Sequence, residues 1–224
     1  MFSEAATPRP GRPSVYERAV GDELKRMPPV LQLYFGPIAD GCAGVGHGVY
    51  DEAGYCGPRW LHPVMRLIAG RGVMFPEDGT DVPFVITNTP RPDGSLRGER
   101  DFLFATARRR MVDAMTSARP GEIVDRLGRR GALEIRLRAE ADTTGMRLRS
   151  TGIAARLGAL RLPLPPVARV MVTETSDPAD AAAQRVDVRV RAWLVGELFR
   201  YHGSFTYRIR QLDGKPGWSV VPPA

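Results

Sequence analysis

Lysine is nearly absent from this 224-residue chain: among 32 basic residues it occurs only at Lys25 and Lys215. The formal charge of +7 therefore rests on arginine, a bias that looks like that of a GC-rich coding sequence, and it says little about a nucleic-acid partner. Only Arg108, Arg109 and Arg110 form a dense run, while most other arginines occupy alternate positions, as on the wet face of a sheet. Nucleic-acid binding is accordingly not expected. Cysteine is limited to Cys42 and Cys56, which without a secretion signal are expected to be reduced thiols. No second cysteine or close histidine pair supplies tetrahedral spacing beside either one, so no metal centre is expected.

Long apolar runs are missing too, and none approaches the roughly 20 residues of a membrane helix. The opening MFSEAATPRPGRPS has no apolar stretch behind a basic start, so it fails as a secretory signal, and a cytoplasmic location is expected. Histidine is confined to His47, His62 and His202, far apart in sequence, and no G-x-S-x-G, H-E-x-x-H or Walker sequence occurs. These absences leave no signature of an enzyme class and no cofactor to expect.

What is present is the balance of a globular domain, 43% hydrophobic and 25% charged. The length suits one domain, expected over 14–210, between a flexible N-terminal tail at 1–13 and a C-terminal tail at 211–224. Ser14 and Glu17 have the spacing of a capping box, and Tyr16, Val20, Leu24 and Met27 recur on one helical face behind it. Pro28 and Pro29 end that helix and Pro29 opens a second, closed by Gly36 and Pro37. GCAGVGHGVYDE at 41–52 is too rich in glycine for a helix and does not match the dinucleotide spacing; it predicts a strand that something approaches closely. A further helix is expected over 58–69, with Leu61, Val64, Met65 and Ile68 facing inward.

Beyond residue 82 the period falls to two. Phe84 and Ile86 with Phe102 and Phe104 flank the turn RPDGS, and Leu133, Ile135 and Leu137 face Met146 and Leu148 across DTTG. Val186, Val188 and Val190 alternate with charged residues, as do Phe205, Tyr207 and Ile209. LPLPP at 162–166 predicts a crossing segment or an edge, and SDPADAAAQ at 176–184 a loop. The class that follows is α+β: N-terminal amphipathic helices packed in the concave face of a curved, mostly antiparallel meander sheet, a partly open barrel.

The order of these features resembles a bacterial family known as the domain-of-unknown-function family numbered 4166. The likeness spans roughly 14–210 and rests on YERAVGDELKRMPPVLQLYFG, on the R-x-F of Arg100 and Phe102, on LRLPLPPVARV, and on LVGELFRYHGSF. The resemblance implies a shared fold and no assigned reaction. It also implies a tryptophan two residues before the R-x-F arginine, where this chain has Gly98. Relatives fused behind an oxidoreductase-like domain would make an oxidoreductase partner in trans conceivable.

Candidate site residues follow from both readings. Arg100 is expected either to be structural or to face a ligand, and Phe102, Phe104, Trp193, Phe205 and Tyr207 to line a concavity with Trp60 and Phe84. Strand parity puts Phe205 and Tyr207 inside, against the helix at Ser14 or the one around Leu61, and His202, Thr206 and Arg208 outside. Glu134, Glu140, Asp142, Glu174 and Asp187 are expected to be cross-strand ion-pair partners of the arginines. The function expected is binding of a hydrophobic or lipid-like small molecule. The alternatives are an isomerase- or cyclase-type enzyme using His47, His202, Glu174 and Arg100, or an auxiliary subunit.

Overall fold

The computed structural model of the chain describes residues 12–212. Its helices are α1 (Val15–Val20), α2 (Pro29–Phe35) and α3 (His62–Ala69). Its strands are β1 (Cys42–Tyr55), β2 (Asp78–Pro90), β3 (Leu96–Leu103), β4 (Arg108–Arg119), β5 (Glu122–Leu127), β6 (Leu133–Ala141), β7 (Gly145–Leu157), β8 (Leu160–Pro163), β9 (Ala168–Ser176), β10 (Ala183–Ala192) and β11 (Gly196–Gln211). The expected tails lie almost wholly outside the described residues, although Gln211 still pairs with Cys42.

The sheet closes on itself. Each strand from β1 to β7 pairs antiparallel with the next, β7 pairs with β9, β9 with β10, β10 with β11, and β11 returns to β1. This makes a ten-stranded closed barrel, which corrects the partly open barrel expected from sequence. Closure follows from two pairings between strands distant in sequence or separated by a crossing: β1 with β11, and β7 with β9. A closed barrel leaves no row of unpaired backbone groups along its wall. The remaining strand, β8, pairs with the end of β7 alone, and Pro163, Pro165 and Pro166 keep that LPLPP segment at an edge.

Charge faces out and hydrocarbon faces in. On β10, Val186 and Val188 are buried while Arg185 and Arg189 are exposed; on β11, Phe205 and Tyr207 are buried while Thr206 and Arg208 are exposed. This is the inverse of the lipid-facing apolar band of an outer-membrane barrel. No helix among the described residues is long and apolar enough to cross a membrane.

The glycines of β1 explain its composition. Gly44, Gly46 and Gly48 point inward, and a Cβ on any of them would overlap the Tyr207 ring or Phe205. The close approach expected from the sequence is thus made by the aromatics of β11.

The N-terminal helices plug one end of the barrel. The capping box at Ser14 forms, with Glu17 N donating to Ser14 Oγ at 2.9 Å and Ser14 N donating to Glu17 Oε2 at 2.7 Å. The helix expected to run to Met27 stops at Val20, because Gly21 takes a left-handed φ of 60°, and the chain continues as a 3₁₀ turn over Gly21–Arg26. Gly121, in the β4–β5 turn, donates to Ala19 O at 2.7 Å, which fastens α1 to the barrel rim. Phe205 and Tyr207 pack on Tyr34 of α2, with ring centroids 5.5 and 4.8 Å apart, and not on the helices expected. The reason is position: α1 lies over β4, β5 and β6, and α2 over β9, β10 and β11. At the opposite end, α3 buries Met65 as expected but leaves Val64 exposed, because its outer side has no neighbour.

Candidate functional site

A cavity of about 230 Å³ runs along the barrel interior. An apolar cavity of roughly 150 Å³ already admits a benzene-sized molecule, so this one has room for a larger guest. Its walls are mainly aliphatic and aromatic, with Ile86, Ile135, Leu148, Val172, Val188 and Phe205 among them. Leu164, Pro165 and Val167, in the β7–β9 connection, line the cavity and are also exposed, so they mark its mouth. Tyr16 and Tyr34 form its floor at the plugged end.

Charged groups converge on its inner part. Arg100 enters from β3 and forms a salt bridge with Asp113 of β4, whose side chain is only 3% exposed. Asp125 of β5 and Glu174 of β9 line the same cavity, together with Tyr50 and Tyr201. Burial, reinforced by the charge of Asp113 and opposed by Arg100, pushes the Asp125 carboxyl well above its ordinary range. Burial raises Glu174 to about 7, with Arg100 and a 2.9 Å hydrogen bond from Gln184 Nε2 holding it from going further. Burial likewise pushes the Tyr201 hydroxyl up to about 12.

Two buried polar atoms of the barrel are unmatched. Asp125 Oδ1 and Gln184 Oε1 are buried with no hydrogen-bond partner among the described residues. Leaving a buried polar group unpaired costs about 1–3 kcal/mol. Of the two, Asp125 lines the cavity, and there a guest would find a hydrogen-bond partner.

The expected site residues divide. Arg100 and Phe205 line the cavity, as do Phe84 and Glu174. Phe102 is fully buried behind it, 5.3 Å from Tyr50, and Phe104 packs on Phe75 at 5.3 Å. Tyr207 accepts a hydrogen bond from Asn88 Nδ2 at 3.2 Å, next to the plug. Trp193 and Trp60 stand outside, 84% and 69% exposed. His202 lies on the outer wall, with Nδ1 3.3 Å from Asp51 and Nε2 3.6 Å from Glu52, and His47 also faces outward.

Glu174 corrects the expectation that the strand acids are ion-pair partners on the wet face. Glu134 fulfils it, held by Arg156 at 2.9 Å and Arg161 at 2.7 Å. The acids that face into the barrel carry a different signature: each continues an apolar row at period two, as in Met111, Asp113, Met115, or Ile123, Asp125, Leu127, or Val170, Val172, Glu174. That signal finds Asp113 and Asp125, which sequence reasoning missed.

Gly98 gains a physical meaning from Asp113. The two residues are cross-strand partners, and a Cβ at position 98 would lie 2.8 Å from both carboxylate oxygens. Gly98→Ala should therefore displace the carboxylate from Arg100 and cost about 1–3 kcal/mol, the scale of overpacking a tight site. Urea denaturation checks this, and an unchanged midpoint would show that the strand pair relaxes freely.

Each arginine of the run is engaged by a carboxylate. Arg108 and Arg110 bind Asp101, and Arg109 binds Glu77. No group of His, Cys, Asp and Glu among the described residues is disposed to hold a metal ion. A second hollow, about 360 Å³, lies at the plugged end near Ser14 and Leu212. Its Arg18 is engaged by the carbonyls of Pro13, Gly94 and Ser117.

No curated protein and no solved structure matches the chain. Arg100, Asp113, Asp125 and Glu174 all fall within residues 27–205, the stretch that matches the family described as Domain of unknown function (DUF4166), and the chain belongs to that family.

Proposed function

We propose that the barrel binds a hydrophobic small molecule, largely hydrocarbon with one uncharged oxygen-bearing group. The observation that carries this reading is the interior cavity, apolar along its length and polar only where Arg100, Asp125 and Glu174 converge. Arg100 already has Asp113 as its counter-charge. A ligand carboxylate would add a second anion beside Asp125 and Glu174, and burying an uncompensated charge costs several kcal/mol. A hydroxyl or carbonyl group avoids that cost and can pair with the carboxyl and tyrosine hydroxyls already present.

An enzymatic reading based on His47, His202, Glu174 and Arg100 has less support. Both histidines lie on the outer wall, so only two of the four groups face the cavity.

Calorimetric titration with dodecanol, dodecanoic acid and dodecylamine at a pH near 6, where Glu174 is protonated, tests the proposal. The alcohol should bind at least about tenfold more tightly than the acid, given the buried-charge cost. Tighter binding of the acid or the amine overturns the uncharged class. Binding of none of the three overturns the cavity as a ligand site.

A further inference from the structure

The two ends of the barrel differ in chemistry. The β1–β2, β3–β4, β5–β6, β7–β9 and β10–β11 connections share the end where the cavity opens. They carry Arg59, Arg66, Arg71, Arg129 and Arg130, all exposed. Their single acid, Glu77, is held by Arg109. At the plugged end, taken over the helical plug and the turns, the sign reverses: Glu17, Asp22, Glu23, Asp40, Asp93, Asp142, Asp177 and Asp180 outnumber Arg12, Arg18, Lys25, Arg26 and Arg91.

Exposed hydrocarbon is polarised in the same direction. Trp193 and Leu194, both 84% exposed, project from the β10–β11 turn. Trp60 and Leu67 project from the β1–β2 connection, and Leu164 and Val167 from the lip of the cavity. Exposed apolar patches of this kind mark contact surfaces, and tryptophan beside arginine is the combination that lies at a bilayer's headgroup level.

We propose that this end of the barrel docks on an anionic lipid bilayer, setting the cavity mouth against the membrane surface. The sign of the charge selects the occupant. The arginines attract an anionic leaflet, the aspartates of the far end are repelled by it, and the two fields orient the barrel mouth-down. Trp193, Leu194 and Trp60 then enter the interface while the charged outer wall stays in water. The inference rests on the reading of the cavity as a site for a hydrophobic ligand, which a bilayer would supply or receive.

The test uses the full chain with vesicles of phosphatidylcholine, alone or mixed with phosphatidylglycerol, followed by co-sedimentation and tryptophan emission. Binding to the mixed vesicles with a blue shift, absent from pure phosphatidylcholine and weakened by salt, is the expected result. Trp193→Ala/Leu194→Ala and Arg129→Glu/Arg130→Glu should each lower the partition coefficient by at least about tenfold, with melting temperatures unchanged. No binding to the mixed vesicles overturns the proposal, as does binding that neither variant weakens. So does a dimer in sedimentation equilibrium that Trp193→Ala/Leu194→Ala dissociates, because the face then belongs to a second copy of the chain. Titration with dodecanol in vesicle-free solution separates the two readings. Vesicle binding lost with dodecanol binding intact refutes docking alone, and the converse refutes the cavity reading alone.

Discussion

Arg100→Met should lower the free energy of unfolding by about 3–5 kcal/mol, the usual effect of removing one partner from a buried ion pair. The guanidinium reaches the barrel interior from β3 and is the counter-charge of Asp113. Removing it leaves Asp113 buried with no cation against it, and takes from Asp125 and Glu174 the one nearby charge that opposes their protonation. Asp113→Leu added to Arg100→Met should recover most of the loss, because an apolar pair of similar volume avoids the desolvation of both charges. Urea denaturation of the wild type, both single variants and the double variant closes the cycle. A double variant as unstable as the sum of the singles would mean that Arg100 acts through packing and not through Asp113.

Much of the wall was legible in the sequence. RPDGS and DTTG mark real hairpin turns, with Phe84 opposite Phe102 and Ala141 opposite Met146. Parity alone places Phe205, Tyr207, Thr206 and Arg208 on their correct faces. Closure was not legible. The pairing of β1 with β11 joins residues between 144 positions apart, at Tyr55 and Phe199, and 169 apart, at Cys42 and Gln211, and no local pattern encodes such a partner. The helix start at Ser14 was legible from its cap, whereas its early stop was not, because Gly21 ends it through backbone conformation and not through a change of pattern.

The site was legible in part for a related reason. Arg100 drew attention through the family resemblance, yet its meaning depends on Asp113, thirteen residues away on the next strand. Asp113 fits beside Arg100 only because position 98 has no side chain. An acid in a run of arginines and an acid in a run of valines look alike in composition. Only the phase of the alternation separates Glu134, surrounded by guanidinium groups, from Glu174, enclosed in the barrel. Trp193 shows the opposite failure: aromatic character suggested a cavity wall, but its place in the β10–β11 turn puts it outside.

Glu174 should make the protein less stable as pH rises from 5 to 8, contrary to the usual behaviour of a paired carboxylate. In the folded chain burial raises it from 4.5 to about 7, while in the unfolded chain it titrates in the ordinary range. Between those values the folded state holds a proton that the unfolded state has lost, so stability falls with pH through that window and levels off above it. The expected loss between pH 5 and pH 8 is about 2–3 kcal/mol, or roughly 5–10 °C in melting temperature for a chain of this size. Asp125, also raised by burial and the charge of Asp113, adds to the fall. Asp101 and Glu134 are lowered, despite their own burial, by hydrogen bonds from Arg110 and Arg108 and from Arg161 and Arg156, so their contribution fades only below this range. His47, lowered by burial and then by Arg210, works in the opposite direction, gaining stability as pH rises through its ordinary range. Comparison with Glu174→Gln removes these common contributions, since only the residue at 174 differs. The variant should lose about 2–3 kcal/mol less than the wild type over the same interval. Parallel melting curves for the two proteins from pH 5 to 8 would mean that Glu174 is ionised inside the barrel, with Arg100 shared between it and Asp113.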